Sequence, residues 1–227
     1  MSVYAISDLH LSLSADKSME IFRGWENYVE KIEKNWRAII KPTDTVVIPG
    51  DISWAMKLAD TYKDFEFIHN LPGKKIIGKG NHDLWWETLT KMNNYLDENG
   101  FDTISFLFNN AFTIDGIAIA GSRGWFFDDE NSDKKVINRE ASRIDTSIKF
   151  AQKAGLETVV FLHYPPATKD AVCDEIMEVL VRSGIKTCYY GHIHGASRFS
   201  CIAGNLNGIN FSPISADILK FVPKLVY

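Results

Sequence analysis

The sequence predicts a layered α/β fold built on mixed sheets, with chemical groups gathered along the rim where strands end. Three observations predict it. Short runs rich in β-branched residues alternate with longer segments of helical period. A central stretch breaks that alternation with adjacent strands joined by a two-residue turn. Clusters of His, Asp and Asn follow directly after several of the apolar runs.

The elements follow in order. Val3 to Ile6 reads as the first strand. Between Glu20 and Ile39 the residues Ile21, Phe22, Trp25, Tyr28, Val29, Ile32, Trp36 and Ile39 recur at three- and four-residue steps, the apolar stripe of one amphipathic helix. Thr45 to Ile48 is a strand, Leu58 to His69 a helix, Lys75 to Ile77 a strand and Trp85 to Asp97 a helix, a β-α-β-α-β series. Phe101 to Leu107, Ala111 to Ile114 and Ile117 to Ala120 then read as strands, the last two joined by Asp115-Gly116, a type I′ hairpin signal. The polar stretch from Phe127 to Lys135 reads as a long exposed loop before a helix from Ile137 to Ala154. Thr158 to Leu162 is a strand, Ala171 to Ser183 a helix and Thr187 to Tyr190 a strand, and the tail from Phe199 carries further strands with Asn207-Gly208 as a turn.

With 227 residues, 45% of them hydrophobic, the chain can bury a full core, and no linker or repeat divides it, so one domain over residues 1–227 is expected. Its net charge of −4 disfavours polyanion binding as a default. Its longest apolar runs fall far short of the roughly 18 to 20 residues of a membrane span, which excludes a bilayer-embedded protein. The N-terminus lacks a basic region and meets Asp8 before any apolar stretch develops, so a cytoplasmic location is expected. Cys173, Cys188 and Cys201 are odd in number and unpaired in spacing, and read as reduced thiols.

The chemistry lies in Asp8-Leu9-His10, Gly50-Asp51, Gly80-Asn81-His82-Asp83, His163 and Gly191-His192-Ile193-His194. In an open α/β sheet, ligands bind beyond the carboxyl ends of the strands, so these loops should converge. Alternate residues leaving a strand point the same way, which lets Asp8 and His10, or His192 and His194, reach one ion together. Glycines before Asp51, Asn81 and His192 allow tight turns there. Neutral imidazole, carboxylate and amide oxygen suit borderline divalent ions: manganese first, with iron, zinc, nickel or cobalt as alternatives. Asp8, His10, Asp51, Asn81, His163, His192 and His194 are more groups than one catalytic ion takes, and two metal ions sharing one carboxylate fit the count. Two divalent ions against two carboxylates leave a net positive site, suited to a phosphate ester and to in-line attack by metal-bridging hydroxide. Of the six histidines, His69 alone lies in a helical segment, where it reads as a helix-end residue.

At these residues the sequence resembles the calcineurin-like metallophosphoesterase superfamily, whose ordered pattern is Asp-x-His, Gly-Asp, Gly-Asn-His-Asp/Glu, His and Gly-His-x-His. The resemblance spans Asp8 to His194 and implies a four-layer αββα sandwich with a dinuclear metal site. It implies one ion held by Asp8, His10 and His194, the other by Asn81, His163 and His192, with Asp51 bridging. His82 then matches the family's non-ligand histidine, which stabilises the transition state or protonates the leaving oxygen, with Asp83 orienting it. Trp54 stands where purple acid phosphatases carry an iron-binding Tyr, so a purple-type site is not expected.

Outside this pattern, Arg123, in the loop Gly121-Ser-Arg-Gly-Trp125, is a candidate clamp for a phosphate oxygen of the substrate. Arg139 and Arg143 share a helix face, but Glu140 and Asp145 offer them ordinary partners. At least one of Trp85 and Trp86 is expected in the core. The expected function is hydrolysis of a small phosphomonoester or phosphodiester. A nuclease is the rival enzyme, disfavoured by the acidity and the lack of a basic stripe, and a non-catalytic interaction scaffold is the rival of another class. No nucleic-acid or membrane partner is expected, and the oligomeric state is left open.

Overall fold

The computed structural model describes residues 1–125 and 134–227. Eleven strands and five α-helices are described. Three parallel steps open the chain: β1 (Val3–Ala5), α1 (Tyr28–Ile39), β2 (Thr45–Ile48), α2 (Tyr62–Asn70), β3 (Lys74–Ile77), α3 (Leu89–Asn99) and β4 (Ile104–Phe106). An antiparallel pair follows, β5 (Ala111–Ile114) and β6 (Ile117–Ser122), joined by Asp115 and Gly116, both at positive φ as a type I′ turn requires. Then come α4 (Lys134–Gln152), β7 (Glu157–Leu162), α5 (Asp174–Arg182), β8 (Thr187–Tyr190), β9 (Gly204–Leu206), β10 (Ile209–Pro213) and β11 (Lys224–Leu225).

The strands form two mixed sheets, ordered β11-β1-β2-β3-β4 and β5-β6-β7-β8-β10-β9. The antiparallel strands β11, β5 and β9 sit at edges, and the fourth edge is β4, which pairs in parallel with β3. Alternation along the buried strands sorts side chains into three apolar layers. Ile6, Val46 and Ile48 face α1, α2 and α3 through Ile32, Trp36, Phe65 and Met92. Val3, Val47 and Ile76 meet Ile117, Ile119, Val159 and Phe161 of the second sheet. Val160 and Leu162 turn outward onto Ile144 and Ile148 of α4 and Ile176 and Leu180 of α5. The result is the four-layer αββα sandwich.

Several boundaries differ from the sequence expectation. The helix expected from Glu20 starts only at Tyr28, because Gly24 (φ +96°) and Asn27 (φ +51°) adopt left-handed backbone that no α-helix can run through. Met19–Ile21 is a short 3-10 turn, and Ile21 and Phe22 are exposed rather than part of a core stripe. The helix expected from Leu58 is split into a 3-10 turn, Leu58–Thr61, and α2. The one expected from Trp85 begins at Leu89, with the Thr88 side chain accepting from the Lys91 N–H. Trp85 is instead a core residue. The helix expected from Ala171 begins at Asp174. Residues 126–133, most of the expected loop from Phe127 to Lys135, lie outside the described residues, and its last two residues already belong to α4. Cys173, Cys188 and Cys201 are unpaired thiols, the first two buried. No helix among the described residues is long and apolar enough to cross a membrane.

Candidate metal centre

The polar clusters follow the carboxyl ends of β1, β2, β3, β7 and β8, and the two sheets bring them face to face. Hydrogen bonds stitch the loops together: the Asp8 N–H donates to the Gly50 carbonyl (3.1 Å) and the His10 N–H to the Asp51 carbonyl (2.9 Å). Asp8 (φ +60°), His10 (+46°), Asp51 (+52°) and His192 (+67°) all hold left-handed backbone. Such geometry is costly for non-glycine residues and persists where the surroundings over-determine it. The expectation that glycines supply these turns is therefore only partly met, since of the glycines before Asp51, Asn81 and His192 Gly50 alone has positive φ. Gly80 and Gly191 serve close approach instead: a Cβ on Gly80 would fall on the Asp51 carboxylate and backbone nitrogen, and one on Gly191 on Ser7 Oγ and the Asp8 carboxylate.

Asp8, Asp51 and His163, all buried, place one ligand atom each within 4.8 Å of one another. Asn81 Oδ1 lies 2.7 Å from His163 Nε2 and 2.9 Å from His192 Nδ1. Asp51 Oδ2 lies 3.5 Å from His163 Nε2 and 3.7 Å from His10 Nε2. Both Asp8 oxygens accept from the His192 N–H at 3.0 Å, tying the loop after β1 to the loop after β8. His194 stands edge-on to His10 at 5.3 Å between ring centroids, beside rather than within the tightest group.

Burial sets the charge states. It holds the His10 and His163 imidazoles well below their ordinary pKa, takes His192 down to about 4 and lowers His82 and His194. Neutral rings keep a lone pair, the state that ligates a metal. Burial also raises Asp8 to about 7, and raises Asp51 well above the carboxylate range, helped by the like charges of Asp83 and Asp8. His10 Nε2 and His163 Nδ1 are buried with no hydrogen-bond partner. A dry pocket with two unfavoured carboxylates, neutral imidazoles and orphaned ring nitrogens is what a divalent cation relieves, so the residues fit such an ion.

His82 is half-buried, its ring 5.5 Å from that of His10 and 4.3 Å from that of Trp54, and its backbone N–H donates to Asp51 Oδ1 at 2.8 Å. Among the described residues no hydrogen bond joins the Asp83 carboxylate to the His82 ring. The carboxylate accepts from the N–H groups of Asp51 (2.8 Å), Ile52 (2.9 Å), Ser53 (3.3 Å) and Gly80 (2.7 Å) and from Trp85 Nε1 (3.0 Å), clamping the loop after β2 to the loop after β3. Arg123 abuts the centre through its carbonyl, which accepts from the His163 and Tyr164 N–H groups (3.1 and 2.7 Å). Its guanidinium lies 5.0 Å from the Trp125 ring and 5.9 Å from that of Tyr164.

Sequence reasoning named Trp54 and Arg143 without these contacts, and missed Lys17, Tyr164 and Lys79. Trp54 stacks on His10 at 4.9 Å, and the Lys17 ammonium sits 3.6 Å over Trp54, placing a cation beside His10 and His82. Tyr164 packs against His192 at 4.3 Å between centroids. Lys79 and Arg143 share a cavity with Arg123. Adjacency offered a signal for Tyr164 and Lys79, which flank predicted ligands; nothing in the sequence pattern marked Lys17.

The family model described as calcineurin-like phosphoesterase matches residues 1–196. Among solved structures, a protein of unknown function from Aquifex aeolicus is similar over 99% of this chain and 95% of its own, at 19% identity and a TM-score of 0.54. The phosphopantetheinyl hydrolase of Mycobacterium tuberculosis is similar over the same shares, 99% and 95%, at 16% identity and a TM-score of 0.56. No curated protein sequence matches the chain.

Proposed function

The chain belongs to the calcineurin-like phosphoesterase family, and from that premise we propose that it is a dinuclear metal-dependent hydrolase of a small phosphomonoester or phosphodiester, acting in the cytoplasm as one domain over residues 1–227. The observation that carries this reading is the convergence of buried Asp8, Asp51 and His163 within 4.8 Å, in contact with Asn81 and bordered by His10 and His192. Asp8, His10 and His194 would hold one ion and Asn81, His163 and His192 the other, with Asp51 available to both. Bound there, divalent ions, manganese first among them, supply Lewis-acid activation of the phosphoryl group and an acidified water as nucleophile.

The chain's own residues do the rest. Asp51 Oδ2 lies within 3.7 Å of both His10 Nε2 and His163 Nε2, the position a shared carboxylate needs. Asp83 fixes it there by gripping its backbone N–H. His82, half-buried at the edge of the group, donates to the phosphoryl oxygen or to the leaving oxygen during in-line displacement. Arg123 meets a peripheral oxygen of the substrate. A phosphopantetheinyl hydrolase among the structural neighbours sets hydrolase chemistry on the same fold.

Hydrolysis of p-nitrophenyl phosphate and of bis-p-nitrophenyl phosphate with added manganese is the test. Activity on at least one ester is expected, with its loss in Asp51→Ala together with most of the bound metal. Full retention of activity in Asp51→Ala excludes the shared-carboxylate mechanism.

A further inference from the structure

Beside the metal centre lies a cavity of about 350 Å³ that the reaction itself does not account for. Its lining carries three cations, Lys79, Arg123 and Arg143, and two aromatic rings, Trp86 and Phe108. These rings meet edge to face at 5.8 Å, and the Arg143 guanidinium lies 6.0 Å from the Phe108 ring.

Among the described residues the charges lining this cavity do not cancel. Its two carboxylates are Glu140 and Glu87. Glu140 is buried and committed, accepting from Ser122 Oγ, the Gly124 N–H (3.0 Å) and Arg143 Nη1 (3.1 Å). Glu87 is engaged by Lys91 at 3.0 Å on the helix surface. Among the described residues neither Lys79 nor Arg123 has a carboxylate within ion-pair distance. Lys79 and Arg123, gathered in a concave site with an Arg143 that already has Glu140 as its partner, repel one another, and a bound anion is what relieves that repulsion. The volume falls within the range of small-ligand pockets.

The cavity is also coupled to the centre. Lys79 precedes Gly80-Asn81, and Arg123 holds the His163 N–H through its carbonyl. One ring, Tyr164, separates the Arg123 guanidinium from His192.

We infer that this cavity is a second-anion subsite, and that the substrate is a bisphosphate whose planar or aromatic leaving part rests against Trp86 and Phe108 while its second phosphate is held by Lys79, Arg123 and Arg143. This deepens the phosphoesterase reading and rests on it. In the reaction a water oxygen bonds to phosphorus, the ester P–O bond breaks and the leaving oxygen takes up a proton from that water. The phosphate in the cavity is chemically unchanged.

Two measurements test it. In the first, phenylphosphonate is titrated by calorimetry into metal-free protein. One binding site is expected, weakened at least tenfold in both Lys79→Met and Arg143→Met, with circular dichroism confirming that each variant is folded. Absence of binding, or binding that neither variant changes, overturns the subsite. In the second, manganese-loaded protein is assayed for phosphate release from adenosine 3′,5′-bisphosphate and from adenosine 5′-monophosphate. A kcat/KM ratio of at least ten in favour of the bisphosphate is expected, falling toward one in each variant. Equal kcat/KM for the two substrates in the wild type overturns the substrate class. Phenylphosphonate binding of the expected pattern with no hydrolysis of any ester overturns the hydrolase reading and leaves the anion subsite standing, so the two failures are separable.

Discussion

His82 and Asp83 are neighbours in sequence that do different work. The His82 ring faces the polar cluster from a half-buried position, whereas the Asp83 carboxylate faces inward and accepts four backbone N–H groups and one indole. In His82→Ala, kcat should fall by about 10² to 10⁴, the span of a lost general acid, while bound metal measured by elemental analysis stays near the wild-type amount. Loss of metal in parallel with kcat places His82 among the ligands instead. In Asp83→Ala several donors lose their acceptor at once in a dry site, so a destabilisation of roughly 3 kcal/mol or more is expected in urea denaturation, accompanied by metal loss; unchanged stability removes the clamp. The identities of these residues were legible from spacing, because Gly-Asn-His-Asp places them on one strand-end loop. Their separate tasks were not, because the direction of the Asp83 side chain depends on the β2 loop lying opposite, a contact 30 to 32 positions away along the chain.

At the scale of the element, the parallel strands were legible because burial on both faces forces continuous apolar runs, as in Thr45-Val-Val-Ile48. The start of α1 was not, since Trp25 and Tyr28 continue the three- and four-residue spacing through a left-handed kink and are buried anyway. The end of α2 carries His69 in its last turn, as expected, and a second basic group besides. His69 places Nδ1 3.0 Å from Thr103 Oγ1, and Lys75 of β3 reaches the same helix end. Its ammonium, fully buried, donates to the carbonyls of His69 (3.1 Å) and Leu71 and to Thr103 Oγ1 (3.3 Å). Burial lowers Lys75 from 10.5 to about 8. The folded protein therefore holds fewer protons than the unfolded chain between pH 8 and 10.5, so this group's cost is fully present below pH 8 and is relieved as the pH rises through that window. Relative to Lys75→Met, wild-type stability should climb between pH 8 and 10 by at most about 3 kcal/mol, read from urea midpoints. Parallel pH curves for the two proteins refute the burial of a charged Lys75.

Across the whole molecule, the centre lies on the seam between the two sheets. Asp8, His10, Asp51 and Asn81 come from loops of the first sheet, and His163, His192 and His194 from loops of the second. The ordered motif made that convergence legible, because strands of a parallel sheet share one carboxyl rim. The cavity with Lys79, Arg123 and Arg143 was legible only in part, since its walls are contributed by both sheets and by α4, and only packing brings them together. A cation bound on this seam is a cross-link between the sheets and binds only the folded chain. At a metal concentration a hundredfold above Kd it adds about 2.7 kcal/mol, which for a domain of this size raises Tm by roughly 5 to 10 °C. Manganese should therefore raise the Tm of chelator-treated wild type by that amount. Asp51→Asn keeps the shape of the side chain, removes one buried negative charge and weakens the cross-link, so its own Tm without metal should equal or exceed that of the wild type while its manganese-induced rise is largely lost. An equal rise in both proteins places the stabilising metal elsewhere on the molecule.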